Sequence, residues 1–150
     1  MRLAFSRYKF FNSIAILAFI LGCLYYLLCR TPLISILQWL IPRIFELILG
    51  QIRGLTIPLC SSLPIGIQDS LPDGLWSFAY ATFMTNLWIG HGGWMAYFWL
   101  GTIPLVCVGY EMLQIGDIIP GSFSWIDLHF SLLGMALGIL LVVLVRSIKR

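Results

Sequence analysis

The chain has 150 residues, of which 60% are Ala, Val, Ile, Leu, Met, Phe, Trp, Tyr or Cys and only 10% are Asp, Glu, Lys or Arg. Soluble domains carry roughly 25% charged residues, so this chain lacks the polar side chains to cover a water-facing surface; disorder, a secreted disulfide scaffold and an ordinary cytosolic enzyme are excluded. The net charge of +3 does not indicate nucleic-acid binding, because the basic residues gather at the chain ends instead of on a polar face, and the composition is that of a single integral membrane domain.

In chain order, Arg2, Arg7 and Lys9 precede an uncharged stretch at 11–29 that is long enough to cross a bilayer, which takes about 20 helical residues. Ile20-Leu21-Gly22-Cys23 is similar to a lipoprotein cleavage box, but the apolar run continues beyond Cys23, as expected of a retained helix. Cys23, Cys29, Cys60 and Cys107 form no CxxC pair and are expected to be small buried apolar residues. Residues 33–52 contain Pro42, Arg43 and Glu46, and at about 3.6 residues per turn Ser35, Gln38, Arg43 and Glu46 share one face, opposite Leu37, Leu40, Phe45 and Leu49. This pattern predicts a helix lying in the membrane interface or against the bundle, kinked or divided at Pro42. Pro58, Pro64 and Pro72 predict an extended, irregular connection up to a second span at 71–89, opened by Asp73. His91-Gly92-Gly93 is a tight turn, followed by spans at 94–113 and 125–145 with a loop containing Gly116, Pro120 and Gly121 between them.

Both chain ends are basic, so the positive-inside rule favours an even number of spans with both termini in the cytoplasm. The expected fold is therefore all-α: four up-and-down transmembrane helices plus one amphipathic interfacial helix between the first and second spans. On this map the acidic residues lie on or near the outer side.

Ionisable side chains in membrane segments are costly and mark paired or functional sites. Asp73 opens the second span, Glu111 closes the third and Asp127 opens the fourth, while Gln114 shares the Glu111 face three residues on. The candidate polar site is thus Asp73, Glu111, Gln114 and Asp127, with Trp76 and Trp125 as candidate ligand-contact aromatics. Helix capping accounts equally well for Asp73 and Asp127, since a carboxylate at a helix N-terminus accepts orphan backbone N–H groups. Glu111 is at a helix C-terminal end, where the dipole opposes an anion, and so needs specific surroundings. Asp127 lines up with Ser131, Gly134 and Gly138; the Gly134-xxx-Gly138 spacing permits close helix packing, whereas Ile139 and Val142 are expected to tolerate substitution. With two histidines, no clustered cysteines and no HExxH, P-loop, GxSxG or GxGxxG, no metal site and no cofactor are expected.

Leu71-Pro72-Asp73, Glu111-Met112-Leu113-Gln114 and Ile119-Pro120-Gly121-Ser122-Phe123-Ser124-Trp125-Ile126-Asp127, followed by Gly134 and Gly138, resemble the VanZ-like family of small bacterial membrane proteins. The family is named for a teicoplanin-resistance accessory protein. The resemblance covers about half the chain and leaves out the N-terminal half, including 33–52. Where such proteins tend to carry Lys, His, Arg and Asn, this chain has Gly74, Ser77, Ser122 and Ser131. The acids are kept and their basic or titratable companions are not, which carries over architecture more readily than chemistry.

The resemblance implies a multi-pass protein of the bacterial cytoplasmic membrane that serves the cell envelope. Its outward acidic cluster would receive a polar lipid headgroup, an envelope precursor or a cation. Two other readings are a non-catalytic assembly subunit that docks on a membrane-protein partner through 33–52, and a small intramembrane acid-base enzyme, which would need one carboxylate kept protonated. Membrane lipids are the expected partners in each case, and nucleic acid is not.

Overall fold

A computed structural model describes residues 2–29, 43–116, 118 and 123–147, and all regular secondary structure among them is helical. The helices are α1 (Arg2–Cys29), α2 (Arg43–Cys60), α3 (Ile65–Trp88), α4 (Trp94–Ile115) and α5 (Trp125–Ser147). Three contain stretches long and apolar enough to cross a membrane: Tyr8–Cys29 in α1, and the whole of α4 and α5. The chain is accordingly a multi-pass membrane protein by the length and composition of its helices.

The prolines from Pro58 onward act differently from the sequence expectation. α2, described from Arg43, runs through Pro58, and α3 starts after Pro64 and runs through Pro72. The irregular connection shrinks to the turn at 61–64. Proline is favoured at a helix start, where its missing N–H removes an orphan donor, and Pro64 takes that role. Pro72 is fully buried inside α3, and interior prolines are tolerated where neighbouring helices re-satisfy the freed backbone groups. Asp73 therefore lies in the third turn of α3 and does not open it, so N-terminal capping no longer explains this residue. Of the expected interfacial helix at 33–52, residues 33–42 lie outside the described residues, as do the side chains of Arg43 and Glu46; the helical part extends on to Cys60.

α3 is the centre of the bundle and packs on α1, α4 and α5. Its buried positions are small or polar, among them Ser70, Ser77, Ala79, Ala81, Thr82, Thr85 and Asn86, because this helix faces protein on several sides. α5 runs parallel to it. A Cβ placed on Gly134 would fall 2.1 Å from the Gly74 carbonyl oxygen, and one on Gly138 would fall 2.7 Å from that of Phe78. The two backbones are in direct contact, which only glycine permits. Val142, one turn further, is completely buried on the same stripe; the expectation that it tolerates change is corrected, since it continues the interface. α4 joins α3 through Tyr80 Oη and Thr102 Oγ1, 2.8 Å apart.

At the C-terminal ends of α3 and α1, side chains from neighbouring helices bond to carbonyl groups that a helix leaves unpaired. At the end of α3, Arg146 of α5 donates to the Ile89 carbonyl (2.7 Å), the Asn86 carbonyl (2.7 Å) and Asn86 Oδ1 (2.9 Å). Asn86 Nδ2 in turn donates to Asn12 Oδ1 (2.9 Å) and the Tyr8 carbonyl (3.2 Å) of α1. Arg146 thus turns into the bundle and ties three helices together, besides supplying a cation where the α3 dipole favours one. At the end of α1, Arg53 donates to Leu27 O (3.0 Å), Thr56 to Leu28 O (3.0 Å) and Gln68 to Cys29 O (2.9 Å).

Cys29 and Cys60 form a disulfide with their Cα atoms 5.7 Å apart. This corrects the expectation that the cysteines are only small apolar residues. Nothing in their spacing of 31 residues announces a pair; it is the lodging of α2 against the end of α1 that brings them within bonding reach. Cys107 is a buried free thiol.

Replacing Gly134 by Leu is expected to abolish folded yield from detergent extraction, because α5 cannot approach α3 with a side chain there. Ala136→Leu, at an exposed position of the same helix, is expected to leave it near wild type. Size-exclusion profiles of the two variants check this.

Candidate functional site

The parallel course of α3 and α5 places their first turns side by side, with the last turns of the antiparallel α4 alongside. A Cβ on Gly66 would meet Ile126 Cδ1 at 2.6 Å, which shows how closely the starts of α3 and α5 lie. At this end of the bundle, the hydroxyl of the fully buried Ser70 donates to Asp127 Oδ1 and also lies 2.6 Å from the Gly66 carbonyl oxygen. The Asp127 backbone N–H donates to Ser124 Oγ (3.4 Å), an N-cap for α5, and the Ser124 N–H donates to Glu111 Oε2 (3.4 Å). The result is a continuous chain from α3 through α5 to α4: Ser70, Asp127, Ser124, Glu111.

Glu111 is only 5% exposed, and Gln114, three residues on, is 9% exposed. Both therefore face the interior of the bundle from the last turns of α4. The Gln114 amide oxygen is buried and receives no hydrogen bond. A buried acceptor without a donor costs about 1–3 kcal/mol, and Tyr25, Trp76, Thr82 and Thr85 carry buried side-chain polar atoms in the same condition.

The remaining sequence candidates fall in different places. Asp73 is half-buried one turn beyond Ser70 on α3. Trp76 turns toward α1, its ring 5.6 Å from that of Tyr26 and its Nε1 pressed against Gly22; its indole is thus an α1–α3 packing element. Trp125, 66% exposed, stands at the start of α5 beside the chain, edge-on to Phe123 with ring centroids 4.9 Å apart. His129 is exposed, with Nδ1 against the Trp125 carbonyl within its own helix. Gly134 and Gly138 contribute by setting the helix spacing on which these contacts rest.

Ser70 and Ser124 were not singled out in the sequence. The available signal for Ser124 was its position three residues before Asp127, immediately ahead of an apolar helix, which is an N-cap pattern. Ser70 had no such signal, because its role depends on the distant Asp127.

Chemically the arrangement combines two carboxylates with an unpaired amide oxygen, while the hydroxyl and backbone donors shown bond within the protein. Among the described residues no three His, Cys, Asp or Glu side chains come together in a way that could hold a metal ion. Comparison with family models, with curated proteins and with solved structures gives no match.

Ser70→Ala removes the α3 donor to Asp127 from a fully buried position and is expected to lower stability by about 1–3 kcal/mol. Ser62→Ala, which deletes an exposed hydroxyl bonded within its own turn, is expected to change it by less than about 0.5 kcal/mol. Thermal unfolding in detergent measures both.

Proposed function

We propose that this chain is a VanZ-like protein of the bacterial cytoplasmic membrane, with four spans and both termini inside, whose acidic end opens outward and receives the polar headgroup of a membrane lipid or lipid-linked envelope precursor. The fourth span is α3: it runs beside α1 and α5 over their length, and its polarity belongs to its central position. Two observations support the orientation. The basic clusters of the sequence fall at the end where α1 starts and α5 finishes, as the positive-inside rule requires. The Cys29–Cys60 disulfide lies at the opposite end, the same end as Asp127, and disulfides persist on the oxidising side of a bacterial membrane. α2 then lies along the outer interface with Leu55 and Leu59 exposed to lipid or to a protein partner, which is the observation that favours the assembly-subunit reading as second choice.

The observation that carries the headgroup reading is the hydrogen-bonded chain from Ser70 to Glu111, with the unpaired Gln114 oxygen three residues after Glu111 on α4. The two acids and the buried amide gather at one end of α3, α4 and α5, where a polar headgroup would meet them.

Lipid extraction from the purified protein, analysed by mass spectrometry, is expected to show a polar lipid retained by the wild type and lost from Glu111→Ala. Glu111→Gln separates a charge requirement from hydrogen bonding, since it keeps the size and much of the bonding capacity; loss equal to that of Ala indicates that the charge is needed. For the orientation, Gln51→Cys is expected to react with a membrane-impermeant maleimide added outside intact cells and Gly92→Cys to be protected; the reverse pattern refutes the map.

A further inference from the structure

We propose that the cavity formed by α1, α2 and one residue of α3 is a quinone site, from which a membrane quinone oxidises Cys29 and Cys60 directly to their disulfide. The proposal does not depend on the headgroup reading above, because none of its residues belongs to the acidic chain.

The cavity has a volume of about 450 Å³, within the roughly 300–1,000 Å³ of small-molecule sites. Its wall comes from the last turns of α1 and α2, with Leu75 added from α3. Cys29 and Cys60 both belong to that wall, so a molecule in the cavity lies against the sulfur pair. The rest of the wall is five leucines, Thr56 and Tyr25. Leu21, Leu24 and Leu59 are exposed, and the first two belong to a membrane-spanning stretch, which puts the mouth of the cavity toward lipid. The independent observation is polar. Tyr25 Oη is buried without a hydrogen-bond partner, whereas the Thr56 hydroxyl is already committed to the Leu28 carbonyl. An unpaired donor in an otherwise apolar wall calls for a ligand with a carbonyl acceptor and little other polarity.

A quinone meets each requirement. One ring carbonyl accepts from Tyr25, the ring lies against the sulfurs, and the isoprenoid chain runs out along the leucines into the bilayer. In the reaction the S–H bonds of Cys29 and Cys60 break and the S–S bond forms. The two electrons and two protons released reduce the quinone to the quinol, whose carbonyl oxygens become hydroxyls, and nothing else is consumed. Other occupants each miss something. Cys29 is 5% and Cys60 9% exposed, which leaves a second protein little sulfur surface to approach. No described residue of the wall carries a charge that would hold glutathione. A saturated acyl chain would suit the leucines, but it has no acceptor for Tyr25 Oη and cannot take electrons.

Full-length protein in detergent is reduced with a phosphine, freed of it and mixed without oxygen with decylubiquinone. Quinone absorbance and maleimide mass-tagging follow the reaction, and peptide mapping locates the disulfide. One quinone is expected to be consumed for each Cys29–Cys60 bond formed, at least about tenfold faster than with oxidised glutathione at the same concentration, since the rate follows access to the sulfurs. Cys60→Ser is expected to consume no quinone. Leu24→Trp, which fills the cavity, is expected to slow the reaction strongly, while Leu17→Trp, on the exposed face of α1 outside the wall, leaves it at the wild-type rate. Tyr25→Phe is expected to slow it about three- to tenfold, the scale of one hydrogen bond. Oxidation by glutathione as fast as by the quinone, or equal rates for Leu24→Trp and Leu17→Trp, overturns the proposal. If the reduced chain does not stay folded, an azidoquinone photolabel on the oxidised wild type decides. Label within 21–29 or 56–60 that decylubiquinone displaces upholds the site, and label that decylubiquinone does not displace overturns it.

Discussion

The contact on which the rest of the molecule depends is that between the backbones of α3 and α5 at Gly134 and Gly138. Polar pairs between these helices keep an almost constant sequence separation, 57 residues for Ser70 with Asp127 and 60 for Asn86 with Arg146, so the helices run parallel in one register from end to end. Had either glycine a side chain, the axes would separate, and both ends would lose their partners together: Ser70 could not reach Asp127, nor Arg146 the carbonyls closing α3. In a bilayer, where apolar side chains gain little by leaving lipid for one another, close backbone approach and interhelical hydrogen bonds are the main sources of specificity. This protein uses both along a single seam.

That seam explains why the most central helix is the least apolar. α1, α4 and α5 each expose a broad apolar face and carry the hydropathy of a membrane span. α3 has fewer positions turned to lipid, and its serines, threonines and asparagine occupy places where they meet other helices. Low hydropathy in the middle of such a chain signals burial in protein as readily as it signals water.

Much of the architecture was legible in the sequence because it depends on local properties. The apolar stretches 11–29, 94–113 and 125–145 lie in helices, and the three-residue spacing of Glu111 and Gln114 corresponds to two side chains buried on one face. What was illegible depends on contacts between distant residues. Cys29 and Cys60 carry no spacing signature, and Ser70 is unremarkable until α5 is placed beside it. Arg146 is one of the basic residues near the C-terminal end of the sequence, and its engagement with Asn86 and Ile89 appears only once α3 and α5 are parallel. Asp73 differs from the sequence expectation for another reason: three prolines predict an irregular connection ending at Asp73, but Pro64 supplies the helix start, so the helix begins about two turns earlier and passes through Pro72. Where two prolines compete to open a helix, the sequence alone does not say which of them it passes through.

The position of the disulfide along the chain bears on how the protein is made. Both cysteines precede α3, so the covalent link can close while the C-terminal half is still being synthesised, provided that the segment reaching Cys60 has already been delivered to the same side of the membrane as Cys29. From then on α1 and α2 behave as one hairpin, and Gln68, on the first turns of α3, meets a Cys29 carbonyl that is already in place. The two halves thereby acquire different histories: the first is secured by a bond formed outside the helices' own energetics, whereas the second must find its place by the fit of glycine against backbone.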